Sequence, residues 1–364
     1  MTSMREQSRE HRPESPKHLQ AGAEYQETNG HRTFKLERKL GEGGLGVVYL
    51  AKNLSNGMEV AIKFMKPEAQ ADKEFVDRFN REMIVAGRFP NPFILKTIDR
   101  IELNVGGETE VGFVTEYVKG RNLFQELQFS SSQDGIEGRM NPETAVEYVA
   151  ELAVAIASMG QAGFVHRDVK PENVYLHTLP DGTKMALLGD FGLTNSAKDW
   201  KERSKKMTPE ENEQAFIEAA HKRVTMQASV IGTPEYMSPD LFADSDVTEK
   251  SDVYALGVLC YRLLTGEMPF EFKSYDELKK KVKKSPPRSF EEVDAASVPK
   301  ELQALVMRML EKNPANRPDG MEVFETIKAW VKKNHPEKMN NIPFQYDFKR
   351  ALSSAETPRV QNAA

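Results

Sequence analysis

Cysteine is nearly missing from this chain of 364 residues, with Cys260 the single example. That excludes an internal disulfide framework and a Cys-rich zinc site, and it fits a reducing cytosol. Long apolar runs are missing too: no stretch approaches the roughly 20 residues that a membrane helix needs. The opening MTSMREQSRE lacks the apolar core of a secretory signal. Excess positive charge is absent, since 50 Lys and Arg face 55 Asp and Glu for a formal charge of -5. Such a chain is a poor candidate for non-specific nucleic-acid binding, which rests on cationic surface. What is present, 39% apolar and 29% charged residues, is the balance of a soluble globular protein. The length exceeds what one small core organises, so two lobes in the cytoplasm are expected.

Residues 1–32 read as a disordered tail. Arg5, Arg9, Arg12, Lys17 and Arg32 are matched by Glu6, Glu10, Glu14, Glu24 and Glu27, with few large apolar side chains between them. Such a segment buries too little surface to offset its ordering entropy. From Thr33 the pattern changes. FKLERKL, GVVYLAKN and MEVAIKFM read as three short strands separated by turn signals. In residues 70–88, Phe75, Phe79, Met83 and Ala86 recur at helical spacing. Two more strands flank Val105-Gly106-Gly107-Glu108, a hairpin signal. Further on, Asn141 and Pro142 open a helix, the former as cap and the latter at the first turn. Pro180-Asp181-Gly182 turns a second hairpin. SDVYALGVLCYRLLTG is apolar on nearly all sides and reads as a buried helix. ELQALVMRMLEKN and GMEVFETIKAWVKK are amphipathic helices. Residues 337–364 read as a second tail. In it Ile342, Phe344, Tyr346 and Phe348 alternate, which suits either an extended strand docked on a lobe or plain disorder.

The chemistry begins at Gly41-Glu42-Gly43-Gly44-Leu45-Gly46. Glycines let a hairpin turn sharply and let backbone N–H groups approach an anion. By itself this is as readily a plain turn. A dinucleotide fold would place such glycines at the start of a helix, whereas here they lie between strands. Lys63 stands inside an apolar strand and needs a partner or a ligand. Glu82, among the apolar positions of the following helix, supplies a neutralising partner, and the pair would aim an ammonium at phosphate oxygens. The densest segment is His166-Arg167-Asp168-Val169-Lys170-Pro171-Glu172-Asn173, followed after a hairpin by Asp190-Phe191-Gly192.

In this order and spacing, these motifs resemble those of the eukaryotic-type Ser/Thr protein kinases over about residues 34–335. The likeness covers the glycine loop, VAIK, the helix Glu, HRDVKPEN, DFG, GTPEYMSPD, SDVYALG and NPANRP; the terse architecture is similar to that of bacterial members. The resemblance implies an α+β, bilobal protein-kinase-like fold. Its N-lobe, residues 33–118, would hold an antiparallel sheet plus one helix. Its C-lobe, 119–336, would be mainly helical, with an activation segment at 190–240 carrying an insert at about 198–224. It also implies an ATP- and Mg²⁺-dependent kinase, with Mn²⁺ as a substitute, acting on protein Ser/Thr hydroxyls and on itself.

By the same resemblance, Gly41, Glu42, Gly43, Gly44, Leu45 and Gly46 cover the ATP phosphates. Lys63, oriented by Glu82, holds the α- and β-phosphates, while Val48 and Ala61 sandwich the adenine. Glu116 and Val118 bond it through their backbones, Thr115 stands at the back of its pocket, Tyr175 lies at the floor and Asn122 reaches the ribose. Asn173 and Asp190 hold Mg²⁺, an ion that prefers oxygen ligands. Asp168 takes the substrate hydroxyl's proton, and Lys170 neutralises the γ-phosphate. Arg167 awaits a phosphate on the activation segment, with Ser229 the first candidate phosphosite and Thr225 the second. Thr233 lines the substrate loop beside Asp168.

Some residues depart from the family pattern. Its Ala-Pro-Glu is Ser238-Pro239-Asp240 here, which puts the pairing of that acid with Arg317 in question because Asp is one methylene shorter. Asp190 and Asp240 lie 50 positions apart, a long segment in which Thr208, Pro209 and the acids after it predict a helix over 209–223. That helix is either a lid on the substrate groove or a surface ornament. Gly189 gives the backbone before Asp190 extra freedom. A regulatory partner at the tails or the insert stays open. The alternative function is a nucleotide-binding scaffold without catalysis. Loss of Lys63, Asp168 or Asp190 would mark it, and all three are present.

Overall fold

The computed structural model describes residues 19–42, 46–66, 76, 91–134, 138–191, 195–196, 234–242 and 247–345. The chain divides into two compact units. The described part of the first is 19–42, 46–66, 76 and 98–117; that of the second is 91–97 and the described residues from Val118 on. Apart from the helical Val76, the helix expected over 70–88 lies outside the described residues, as does the one expected over 209–223.

The first unit is one antiparallel sheet. Its strands are β1 (Glu24–Gln26), β2 (Thr33–Glu42), β3 (Gly46–Asn53), β4 (Glu59–Met65), β5 (Thr97–Val105) and β6 (Glu108–Glu116), in the order β1-β2-β3-β4-β6-β5. Alternation sorts the side chains. Val47, Tyr49, Ala51, Val60, Ile62, Phe64 and Val114 point into a buried core with Phe34, Leu36, Ile101, Leu103 and Val105. The β5–β6 turn is two glycines, with φ of 62° at Gly106 and 94° at Gly107, the left-handed pair that a tight hairpin requires.

The N-terminal tail needs correction over 19–32. Leu19 is buried, and β1 pairs with β2 through Glu24↔Lys35, Tyr25↔Phe34 and Gln26↔Thr33. The far end of this strand meets the opposite side of the sheet: Thr28 N–H donates to the Glu102 carbonyl at 2.9 Å, and Glu27 bridges Leu103. The sheet thereby curls round to meet itself. Arg32 locks the junction, giving Glu27 two hydrogen bonds of 2.8 and 2.7 Å and Asp99 one of 2.6 Å. Composition misled here because the strand is only three residues long and part of its support, from Asp99, Glu102 and Leu103, is remote in sequence.

The second unit is built on α2 (Pro142–Gln161) and α3 (Glu249–Thr265), both buried over most of their length, with α1 (Leu123–Asp134) before them. As expected, the Asn141 side chain caps α2 and Pro142 opens it. Gly266, with φ of 81°, closes α3 in the left-handed conformation. Short strands β7 (Phe164–Val165), β8 (Val174–Thr178), β9 (Lys184–Leu188) and β10 (Asn195–Ser196) pair as β7·β10 and β8·β9. α4 (Tyr275–Lys284), α5 (Lys300–Met309) and α6 (Gly320–Asn334) complete the unit. No helix among the described residues is long and apolar enough to cross a membrane.

The C-terminal tail also needs correction. Pro336–Asn340 forms a 3₁₀ turn and Ile342–Gln345 a helical turn, α7, rather than a strand. Phe344 is buried and stacks on Phe324 of α6 at 6.4 Å. Lys338 reaches Glu143 and Glu147 of α2 at 3.1 and 2.9 Å. Alternation of apolar residues does not impose a period of two against these tertiary contacts. Tyr346 and Phe348 lie outside the described residues.

Cys260 sits in the middle of α3, buried, and burial pushes its thiol up to about 12. A thiol reagent at pH 8 is therefore expected to leave the native protein unlabelled and to label one equivalent in denaturant. Native labelling at the denatured rate would contradict this packing.

Candidate functional site

The second unit holds the densest cluster. Tertiary bonds grip the loop His166–Asn173 at both ends. Asp252 lies inside the apolar α3, almost fully buried, and its two oxygens accept the backbone N–H groups of His166 and Arg167, each at 2.7 Å. Burial pushes this carboxyl up to about 7, while those two bonds and the Arg167 charge pull it down. The grip holds Arg167 at φ of 67°, a left-handed conformation that an L-residue adopts at a cost. His166 is buried; its Nδ1 accepts the Asp168 N–H at 3.3 Å and its Nε2 faces the Gly189 carbonyl at 3.2 Å. One neutral tautomer, with the proton on Nε2, satisfies both contacts. Phe191 packs its ring against the imidazole at 5.1 Å.

Asp168 is the centre of the loop. Its Oδ1 meets Lys170 Nζ at 2.9 Å, and its Oδ2 accepts Asn173 Nδ2 at 2.9 Å. The same Nδ2 reaches the Asp168 carbonyl at 2.7 Å. Both oxygens are thus steered by neighbours on one loop, which fixes the carboxylate's plane. The Asn173 amide nitrogen is spent on Asp168, leaving its oxygen as the group to offer outward. The Asn173 carbonyl accepts the Gly189 N–H at 2.9 Å, tying the loop to the residue before Asp190. Asp190 itself is left-handed, with φ of 59°. Gly189 is needed for room rather than freedom: a Cβ there would stand 2.9 Å from the Tyr175 ring and 3.0 Å from Leu95. Tyr175 lies on β8 opposite Leu187 and bridges Asn122. The Asn122 side chain accepts the Gln125 N–H at the start of α1 and donates to the Glu172 carbonyl at 3.2 Å.

The segment after DFG is anchored through Asp240, and the shorter acid still reaches. Arg317 and Asp240 form a two-pronged pair at 2.6 and 3.0 Å, both side chains almost wholly buried. The other guanidinium bonds go to the carbonyls of Glu311 at 2.7 Å, Lys250 at 2.9 Å and Lys312 at 3.0 Å. That accounts for all five N–H donors of an arginine. Ser251 adds a hydroxyl to Asp240 at 2.9 Å. In the turn Pro234–Tyr236, the Tyr236 hydroxyl accepts Arg262 at 2.9 Å.

The first unit gathers a second set. Register pairs Val48 with both Gly41 and Lys63, and Ala61 with Thr115. These side chains therefore share the sheet face opposite the apolar core. Gly46 is obligatory, because a Cβ there would stand 2.4 Å from the Phe64 carbonyl. Glu42 points its carboxylate at Lys39 and Lys66. Glu116 ends β6, paired with Val60; Val118 belongs to the second unit. Gly43, Gly44, Leu45, Glu82, Thr225, Ser229 and Thr233 lie outside the described residues. Sequence reasoning passed over Asp252, His166 and Lys66 as supports. For Asp252 the signal was there, an acid within a helix apolar on nearly all sides.

Comparison with known proteins agrees with this geometry. The family model described as "Protein kinase domain" matches residues 34–327. The chain is similar to "Serine/threonine-protein kinase pkn3" of Myxococcus xanthus, 31% identical over 318 residues, which is 85% of this chain and 52% of that protein. It is also 31% identical to pkn2 of the same organism over 298 residues, 78% of this chain and 31% of that one. With PknB of Mycobacterium tuberculosis the identity is 31% over 289 residues, 78% and 40% of the two chains. The chain thus spans about half or less of the length of these relatives.

Proposed function

We propose that this chain, which belongs to the protein kinase family, is a Ser/Thr protein kinase that uses ATP and Mg²⁺ and phosphorylates its own activation segment as well as other proteins. The observation that carries this reading is the Asp168 carboxylate, held on one oxygen by Lys170 and on the other by Asn173. Its relatives carry the name serine/threonine-protein kinase, and Lys170 two residues after Asp168 resembles the Ser/Thr branch of the family.

Phosphoryl transfer is mostly positioning and neutralisation of charge on oxygen. Asp168 orients the attacking hydroxyl and receives its proton as the oxygen bonds to the γ-phosphorus and ADP leaves. Lys170, already beside Asp168, offsets charge on the transferred group. Lys63, oriented by Glu82, holds the α- and β-phosphates, with Val48, Ala61 and Thr115 on the same sheet face toward the adenine. Asn173 and Asp190 fit a hard cation. They supply an amide oxygen and a carboxylate, and among the described residues no group of three or more His, Cys, Asp or Glu is placed to hold a metal. Mg²⁺ suits so sparse a set, because it takes few protein ligands and completes its shell with phosphate and water. When bound it would screen the phosphate charges. Ser229 and Thr225 are the proposed sites of autophosphorylation.

The test is label transfer from γ-labelled ATP. Wild type is expected to label generic protein substrates and itself on Ser and Thr, with phosphate mapping to 225–229. Chelation should stop the reaction, and Mg²⁺ or Mn²⁺ should restore it. Lys63→Met should lose it. A folded wild type that shows neither transfer nor heat of Mg-ATP binding at millimolar nucleotide would sink the reading.

A further inference from the structure

We infer that Lys66 is a positioning residue for the glycine-rich hairpin and acts through Glu42; the inference rests on the nucleotide-binding role proposed for that hairpin. Lys66 follows directly on β4. By alternation it falls with Ile62 and Phe64, toward the core, and away from Lys63 three residues earlier. Its side chain is fully buried, and its Nζ meets Glu42 Oε1 at 2.6 Å. The second oxygen of Glu42 receives the ammonium of Lys39, a more exposed side chain.

Glu42 is the last residue of β2, paired with Val47 across the hairpin, so the chain enters the glycine turn from it. Two different ammonium groups, one on each oxygen, give its carboxylate a single orientation. Burial would raise this carboxyl, but the bonds from Lys39 and Lys66 outweigh it and hold it below the usual range. Two irregularities in the β2–β3 register, at Leu36/Arg38 and Lys39/Gly41, loosen the ladder just before this point. A side-chain clasp therefore adds to the Gly41↔Val48 and Glu42↔Val47 pairing in setting where the turn begins. A buried lysine is also a poor way to gain stability. An apolar side chain of similar volume would fill the space without stripping a charge of water, and such replacements are often neutral or stabilising. The charge is accounted for by what it holds in place.

The test compares wild type with Lys66→Met and with Lys66→Met/Glu42→Gln, using Mg-ATP by calorimetry and initial rates. Lys66→Met leaves Glu42 partly exposed and still beside Lys39, so no buried charge is stranded. Both variants are expected to melt at or near the wild-type temperature. Both should raise the Kd and KM for ATP about tenfold, with kcat and the peptide KM within about twofold, the signature of a misplaced binding element. The double variant should be no worse than the single one, because the clasp is already open. Wild-type affinity for ATP in folded Lys66→Met would overturn the inference. So would a lower melting temperature with kcat lowered and both KM values raised in parallel, which a merely structural lysine would give. A wild type that binds no nucleotide removes the kinase reading itself, whatever the variants do.

Discussion

Asp168→Asn is expected to leave the protein folded and able to bind Mg-ATP while lowering kcat toward a peptide hydroxyl by about 10²–10⁴-fold, the usual worth of a positioned acid–base group. The substitution is nearly isosteric. Lys170 and Asn173 flank the same position, and the backbone of residue 168 still donates to His166. What disappears is an acceptor for the hydroxyl's proton. The loss should fall on kcat, with the KM for ATP within a few-fold, because no phosphate contact is assigned to this side chain. Rapid-quench rates with calorimetry on the same preparation separate the two effects. A variant transferring phosphate at the wild-type rate would show that the loop's geometry serves something other than this reaction.

Arg317→Met should cost about 3–5 kcal/mol of stability, because it strands the Asp240 carboxylate in the interior without a cation. The urea midpoint should fall accordingly. Adding Asp240→Leu should recover part of the loss but not all. Removing the acid cures the stranded charge, yet the carbonyls of Glu311, Lys250 and Lys312 still lack their donors, at about 1–3 kcal/mol for each that stays unpaired. Arg317→Lys keeps the charge but not the five-pronged fork, so it too should be markedly less stable than wild type. A wild-type midpoint in Arg317→Met would mean that this anchor is dispensable.

Much of this was legible from residue order alone. The strands from Thr33 onward, the Gly106-Gly107 hairpin, the capped α2 and the buried α3 follow from alternation, turn residues and caps. Those are local signals, and local geometry obeyed them. The gathering of Asp168, Lys170 and Asn173 was legible for the same reason, since they sit within six positions of one loop. The failures share a different cause. Residues 19–32 look like solvated tail because their strand is only three residues long and two of their partners, Asp99 and Glu102, are remote in sequence. Phe344 looks like part of an alternating strand until Phe324 supplies the surface it stacks on. The role of Gly189 was misjudged because crowding by Tyr175 and Leu95 leaves no trace in neighbouring residues. Asp240 raised doubt because motif comparison counts methylenes, whereas the interior counts satisfied donors.

The short strand at Glu24–Gln26 lies outside the stretch, 34–327, that the family model matches. Removing only the residues before Phe34 would look harmless on paper. It would strip main-chain partners from β2 and from Glu102 and Leu103 of β5 at once, and leave Asp99 without Arg32. Bare main-chain groups of this kind pair readily with those of another molecule. The first visible symptom would be insolubility, easily mistaken for a fault in the catalytic half.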